Sequence, residues 1–297
     1  MRRKDMVHFY EFVDGNPLFK QFKVDDLLFT AYDCPIEGSP VDYWIKTNYF
    51  CYVFVGGGRW KTPHEEYVLK AGDAAFLKKG AHRVYKILNG DFCALLIMVP
   101  DEFIASVMKE ECGMNHSAGT AAYTDSVIRL NLNKTLKDYF DTLLGYFSLE
   151  NPPSKSLLTI KFKELIVNIA TSGHNPLATG YFNKLNTDGK RSLKPIMEEH
   201  FMFNLKLKEL AKLSGRSLAT FNRDFYKIYN MTPAKWIKKR RVEYGKFLLE
   251  TSDKNINEIA LDIGFENTSH FIKCFREHYQ HPPLRYKRML EQQAVVA

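Results

Sequence analysis

The sequence predicts an α+β chain of two domains: a β-barrel or sandwich followed by helices, then an all-α domain with two helix-turn-helix units. Three observations carry that expectation. Short apolar-aromatic runs punctuated by turn residues fill residues 1–100, long uninterrupted segments take over from Asp101, and one helical scaffold occurs twice in the last hundred residues. A chain of 297 residues is long enough to build two cores.

The N-terminal stretch MRRKDMVHFYEF has charges but no apolar core behind them, so no secretory signal is expected. The best apolar run, CALLIMVP at 93–100, falls far short of the roughly 18 to 20 residues of a membrane helix. Five cysteines (Cys34, Cys51, Cys93, Cys112, Cys274) lie far apart, with no C-x-x-C. Neither a disulfide framework nor a zinc site is implied, and a reducing cytoplasm is expected.

Strands are expected at NYFCYVFV (48–55), EYVL (66–69), AAFL (74–77) and DFCALLIMV (91–99), because GGG, KAGD, KKG and NGD punctuate them. Many short strands of this kind make an antiparallel barrel or sandwich. Helices are expected at 101–111, 124–149 and 154–172. In the last, Leu158, Phe162, Leu165, Ile166 and Ile169 recur at helical steps. NPPS (151–154) separates the two longer helices, which predicts an antiparallel pair suited to dimerisation. The polar NTDGKRS (186–192) reads as a linker. The expected division is a regulatory and dimerisation domain over 1–186 (barrel 1–100, helices 101–186) and a second domain over 187–297.

Charge is divided unevenly. From Arg191 onward there are 20 Lys and Arg against 12 Asp and Glu, a net of +8, whereas the first 190 residues hold 22 of each sign. A polyanion-binding domain joined to a neutral one has this asymmetry.

The repeat gives the basic third its meaning. Ala211-Lys-Leu-Ser-Gly215 matches Ala260-Leu-Asp-Ile-Gly264 at an offset of 49. After one inserted residue the offset becomes 50, pairing Phe221 with Phe271, Phe225 with Phe275, Tyr229 with Tyr279, Pro233 with Pro283 and Trp236 with Tyr286. Leu207, Leu210 and Ala211 (Ile256, Ile259 and Ala260 in the second copy) share one helical face. The small alanine admits a second helix, and the glycine ends the first with a bend. Ser217 or Thr268 is then placed to cap a helix whose phenylalanines point to the core. This is helix-turn-helix architecture, which presents the outer face of its second helix to the DNA major groove. The seventeen residues Pro233–Leu249 would span about 25 Å as a helix. Two reading helices would then sit roughly one DNA turn, ~34 Å, apart. A plain helical bundle with an internal duplication predicts the same fold but leaves the charge and the two glycine turns unexplained.

Residues 193–290 resemble the DNA-binding domain of the AraC family of bacterial transcription regulators. INEIALDIGFENTSHFIKCFREHYQHPPLRYKR follows the family's signature, and LATFNRDFYKIYNMTPAKWIKKRRVEYGKFLLETS follows its first half and linker helix. The family's usual glycine after each reading helix is replaced by Asn230 and Gln280. The resemblance implies base-facing residues Ala219, Asn222 and Arg223 in the first reading helix, and Thr268, Ser269, His270 and Lys273 in the second. Arg and Lys donate to guanine O6/N7, Asn pairs with adenine, and Ala219 is small enough to touch a thymine methyl. For Arg223 the competing role is an ion pair with an acidic neighbour. Lys227, Lys238, Lys239 and Arg276 are expected on phosphates, and Arg240 and Arg241 on the linker helix, at least one of them joining the subdomains.

The family commonly adds a cupin-like barrel and a helical dimerisation pair. KAGDAAFLKKGAHRVYKI (70–87) resembles the glycine-punctuated hairpin of that barrel, and the layout is similar to the ExsA-type activators of secretion systems, whose N-terminal domain answers to a partner protein rather than a sugar. The resemblance implies a transcription regulator, an activator and a homodimer, working on double-stranded DNA with RNA polymerase and receiving a small-molecule or protein effector. Pocket candidates by residue type are Trp44, Tyr52, Arg59, Trp60, His82 and Tyr85, with barrel core as their plainer role. His64, Glu65, Glu66 and His82 lack the H-x-H spacing of a metal-binding cupin, so no metal, cofactor or catalytic residue is expected. Other readings are a regulator whose N-terminal domain only dimerises, a metal-dependent cupin enzyme fused to a DNA-binding domain, and an interaction module that no longer reads DNA.

Overall fold

The computed structural model describes residues 6–33, 40–63, 65–86, 92–113, 126–185 and 190–296. They form two compact units, Met6–Gly189 and Lys190–Ala297.

The first unit is built on strands β1 (Val7–His8), β2 (Lys20–Val24), β3 (Leu27–Asp33), β4 (Val41–Ile45), β5 (Asn48–Val55), β6 (Gly57–Lys61), β7 (Glu66–Lys70), β8 (Ala74–Leu77), β9 (Gly80–Lys86), β10 (Cys93–Val99) and β11 (Val127–Leu130), with helix α1 (Phe9–Val13) after β1. They make a five-stranded sheet in the order β1-β4-β9-β6-β7 and a six-stranded sheet in the order β11-β8-β5-β10-β3-β2. Every pairing is antiparallel except β1 with β4. The unit is a two-sheet β domain carrying helices, as the α+β expectation requires.

The six-stranded sheet is buried on both faces, and strand alternation divides its residues between two cores. Tyr49, Cys51 and Val53 of β5 and Ala94, Leu96 and Met98 of β10 face the inter-sheet core, together with Tyr43, Trp60 and Phe92. Phe50 and Tyr52 of β5 and Leu95, Ile97 and Val99 of β10 face helices α2 (Asp101–Glu110), α3 (Lys134–Tyr146), α4 (Lys155–Thr171) and α5 (Pro176–Leu185). Phe29 stacks on Phe162 of α4 at 3.7 Å between ring centroids. Asn133 and Ser154 cap α3 and α4 through their side chains. The Tyr139 hydroxyl of α3 donates to the Lys161 carbonyl of α4 at 2.8 Å.

One expected helix is shorter than the sequence implied. Within 124–149, Val127–Leu130 is strand β11, paired antiparallel with β8, and helix begins only at Lys134. Val and Ile at 127–128 suit a pleated surface, and Asn133 marks the helix start. Residues 124–125 and 186–189, the latter in the expected linker, lie outside the described residues.

The second unit is all helical: α6 (Leu193–His200), α7 (Leu207–Leu213), α8 (Leu218–Tyr229), α9 (Pro233–Thr251), α10 (Ile256–Asp262), α11 (Thr268–Tyr279) and α12 (Pro283–Val296). The repeat is visible at once. Helices α7, α8 and the start of α9 recur as α10, α11 and α12, with α9 running through both halves.

Candidate nucleic-acid interface

Each copy closes its first helix the same way. In the first, the Gly215 N–H donates to the Lys212 carbonyl and the Arg216 N–H reaches back to Ala211, at 3.0 Å each. In the second, Gly264 donates to Leu261 at 3.2 Å and Phe265 to Ala260 at 2.9 Å. Paired bonds of this pattern are the Schellman turn, which needs a left-handed residue. Gly215 has φ 67° and Gly264 φ 92°. A Cβ on Gly264 would lie 2.4 Å from the Met202 carbonyl oxygen and 2.8 Å from the Arg241 guanidinium carbon. Glycine is thus required there twice over, by conformation and by space.

The second helices start on side-chain caps. The Ser217 hydroxyl accepts from the Thr220 N–H at 3.2 Å, and Asn267 accepts from the His270 N–H at 2.8 Å. The second cap is therefore Asn267, not Thr268, which is the first helical residue. Asn267 lies at the same offset of 50 from Ser217 as the phenylalanines and is the stronger capping residue.

Packing fixes the inner faces. Phe221 and Phe225 are fully buried, and Phe225 stacks on Tyr229 at 4.4 Å and meets Trp236 edge-on at 6.2 Å. Phe271 and Phe275 repeat this, with Tyr279 at 4.8 Å and Tyr286 at 5.6 Å from Phe275. Asn230 and Gln280 both adopt the left-handed conformation after the reading helices, at φ 50° and 65°. The turn geometry is therefore kept in both copies without glycine, glutamine bearing the larger steric cost.

Helix α9 fastens the copies together. Arg241 donates to the carbonyls of Phe201 (2.6 Å), Phe203 (2.8 Å) and Gly264 (2.7 Å), spanning from the loop before α7 to the turn of the second copy. Arg240 pairs with Glu198 of α6 at 2.9 Å. Gly245 lies directly under Phe271 and Ile263, where a Cβ would sit 2.8 and 2.9 Å from their side chains. Nineteen residues of α9 give a rod about 28 Å long.

With the inner faces fixed, the outer faces follow. On α8, Ala219, Arg223 and Lys227 are exposed and Asn222 half-buried. On α11, Ser269, His270, Lys273 and Arg276 are exposed and Thr268 half-buried. Ala219, Arg223, Lys227, Ser269, Lys273 and Arg276 lie on the side of their helix away from the buried phenylalanines, Thr268 and His270 lie in the open first turn, and Asn222 flanks the buried face. His270 sets its ring edge-on to Phe265 at 5.2 Å. Arg223, 63% exposed at its side chain, has Asp224 3.6 Å away. Asp224 is engaged more closely by Arg216 at 3.0 Å and also meets Lys190 at 3.4 Å; the Arg216 hydrogen bond holds its carboxyl below the usual range. Lys238 and Lys239 are exposed on α9, with Glu243 3.8 Å from Lys239.

The barrel candidates are dispersed. A cavity of about 40 Å³ between the sheets is lined by aromatic and aliphatic side chains, among them Phe9, Tyr43, Tyr49, Trp60, Phe92 and Leu96. Of the six pocket candidates only Trp60 lines it. His82 is buried beside it, stacked on Tyr43 at 5.4 Å, with its Nε2 2.7 Å from the Lys78 carbonyl oxygen. Tyr52 is on the other face of β5, stacked on Phe140 at 4.6 Å. Arg59 and Tyr85 lie over one another at 4.6 Å on the parity opposite to the cavity-lining Trp60 and Val84, and Arg59 pairs with Glu66. Trp44 has the parity opposite to Tyr43 and Ile45 of the core. Both faces of these strands carry aromatics, so residue type did not reveal which side each would take.

Burial pushes the Tyr49 phenol and the Cys51 thiol well up, so both are neutral, and Cys51 offers no thiolate nucleophile. Among the described residues, no group of three or more His, Cys, Asp or Glu side chains is arranged to hold a metal ion. His64 lies outside the described residues. Among the described residues, no helix is long and apolar enough to cross a membrane.

A β domain carrying helices, joined to a basic unit with two helix-turn-helix motifs on one rod, defines a DNA-binding regulator. The family models agree. One described as the ExsA N-terminal regulatory domain matches residues 48–180, and one described as a helix-turn-helix domain matches residues 210–289. The chain thus matches an ExsA-type regulatory domain followed by a helix-turn-helix domain of the AraC type. It is 26% identical to the thermoregulatory protein LcrF of Yersinia pestis over 222 residues, 74% of this chain and 81% of that one. It is 32% identical to the HTH-type transcriptional regulator ExsA of Pseudomonas aeruginosa over 139 residues, 47% and 49% of the two chains. A crystal structure of ToxT from Vibrio cholerae is similar over 89% of this chain and 99% of that one, at 15% identity and a TM-score of 0.41.

Proposed function

We propose that this regulator is a cytoplasmic transcriptional activator that grips DNA with α8 and α11 in successive major grooves. Ala219, Asn222 and Arg223 face bases in one groove and Thr268, Ser269, His270 and Lys273 in the next; Lys227, Lys238, Lys239 and Arg276 hold phosphates. The observation that carries this is the repeat itself. The two copies keep the same central buried residues, Ala211 and Ala260, Phe221 and Phe271, Phe225 and Phe275, and differ on their outer faces, as expected when packing fixes one side and DNA selects the other.

The β unit, on this reading, receives a signal and dimerises. Its match to a regulatory domain supports the first role. Its cavity of about 40 Å³ is small beside the roughly 300–1,000 Å³ of pockets that enclose drug-sized ligands, which favours a protein effector over a sugar. Helix α4 supports the second role. While one side is buried in the core, it leaves Leu157 and Ile160 exposed, Ile160 at 58%. An effector with different affinity for two arrangements of the chain shifts their populations.

The test is transcription in vitro with bacterial RNA polymerase, from a promoter carrying a site selected by the full chain. Added protein should raise transcript several-fold; unchanged or falling transcript rejects the activator role.

A further inference from the structure

Ile272 is an unusual residue for its place. It is 36% exposed on α11, on the side carrying Ser269, Lys273 and Arg276, while Phe271, Cys274 and Phe275 fill the buried side. Residues at steps of three and four share a helical surface, so Ser269, Ile272, Lys273 and Arg276 form one stripe. The equivalent stripe on α8 holds Ala219, Asn222, Arg223 and Tyr226, and the offset of 50 pairs Ile272 with Asn222. At the same step of the two reading helices, one copy has an amide that donates and accepts, and the other a side chain that does neither.

A β-branched residue on a solvated helix face loses rotamer freedom and leaves apolar surface in water. Ile272 is not among the side chains of the second copy's buried cluster, which is built on Ile259, Ile263, Phe271 and Phe275. The major groove offers one apolar group to such a side chain, the thymine C5-methyl. We infer that Ile272 is a specificity-determining residue that reads a thymine methyl in the groove occupied by α11. This rests on the proposal that α11 lies in the major groove, and adds the identity and chemistry of one base. The first copy selects by hydrogen bond at this step, through Asn222 to adenine, and the second by methyl contact.

The test uses the full chain and a duplex it has selected from a random pool, with each thymine replaced singly by uracil. That exchange removes the methyl and leaves every hydrogen-bonding group in place. One position in the α11 half should weaken binding about fourfold, the value of one buried methyl. Ile272→Ala should lower affinity for the thymine duplex by a similar factor and abolish the uracil effect at that position, while Asn222→Ala leaves the effect intact. Ile272→Gln should move the preferred base there from thymine toward adenine. Tolerance of uracil at every position overturns the inference, and so does a uracil penalty that persists in Ile272→Ala. Absence of any selected sequence overturns both the inference and the DNA-reading role beneath it.

Discussion

The two helix-turn-helix copies share a central scaffold and differ on the faces they expose. Ala211 and Ala260, Gly215 and Gly264, Phe221 and Phe271, and Phe225 and Phe275 do the same work at the same steps. Their supports differ. The first copy has the Arg216–Asp224–Lys190 ion cluster; the second has the Arg241 fork on the Gly264 carbonyl and the close packing of Gly245 on Phe271. Both copies pack on the linker helix, the first through Trp236 and the second through Gly245 and Arg241, and the first adds the ion cluster around Asp224. The difference teaches that packing constrains the scaffold tightly, and that the reading face diverges without disturbing it.

The comparison can be broken most severely at Gly264. Gly264→Ala adds left-handed strain and a clash with the Met202 carbonyl, and should cost about 2–4 kcal/mol of the helical unit's stability, measured by denaturant unfolding. Arg241→Lys should cost about 1–3 kcal/mol, because an ammonium cannot span three carbonyls as the guanidinium does. Wild-type stability in the lysine variant would remove Arg241 as the fastener.

On the outer face the expected effects fall on DNA rather than on folding. Arg223→Ala should weaken specific binding by about 1–3 kcal/mol and relax preference at one base pair, with the melting temperature unmoved. Lys227→Ala should weaken binding evenly across sequences and flatten the log–log salt slope by about 1. Unchanged affinity and sequence preference in the arginine variant would return Arg223 to the role of a surface ion pair with Asp224.

The smallest effect sharpens the contrast in support. Arg216 holds the Asp224 carboxyl below its ordinary range, so around and below pH 4 the unfolded state binds more protons than the folded one. The contribution is full above the unfolded pKa and disappears as pH falls through the depressed folded one. Acid unfolding of Asp224→Asn should therefore be shallower than that of the wild type over that window. Identical acid profiles would show that the ion cluster does not brace the first copy.

Much of this was legible in the sequence because buried residues obey periodicity. The runs 48–55 and 93–99 are strands, and the apolar steps of 158–169 are the buried face of α4. What escaped was set by partners distant in sequence. Strand β11 is four residues long and exists through its pairing with β8, some fifty residues earlier. Helix α5 contains Thr179 and Gly180 and follows a proline start, a weak local signal rescued by burial of Ala178 and Phe182. Tyr52 has the composition of a pocket residue but sits on the helix side of a sheet covered on both faces, where apolar character carries no direction. Ile272 is not among the reading residues that the resemblance implied, although the repeat aligns it with Asn222.

The central claim is that two copies of one scaffold read two different pieces of DNA. Selection of bound duplexes from a random pool, with the full chain at physiological salt, tests it most directly. The account predicts a motif of two short, dissimilar informative blocks about one helical turn, ~34 Å, apart. A single block would contradict reading by both helices, and recovery of no motif would contradict sequence-specific recognition altogether.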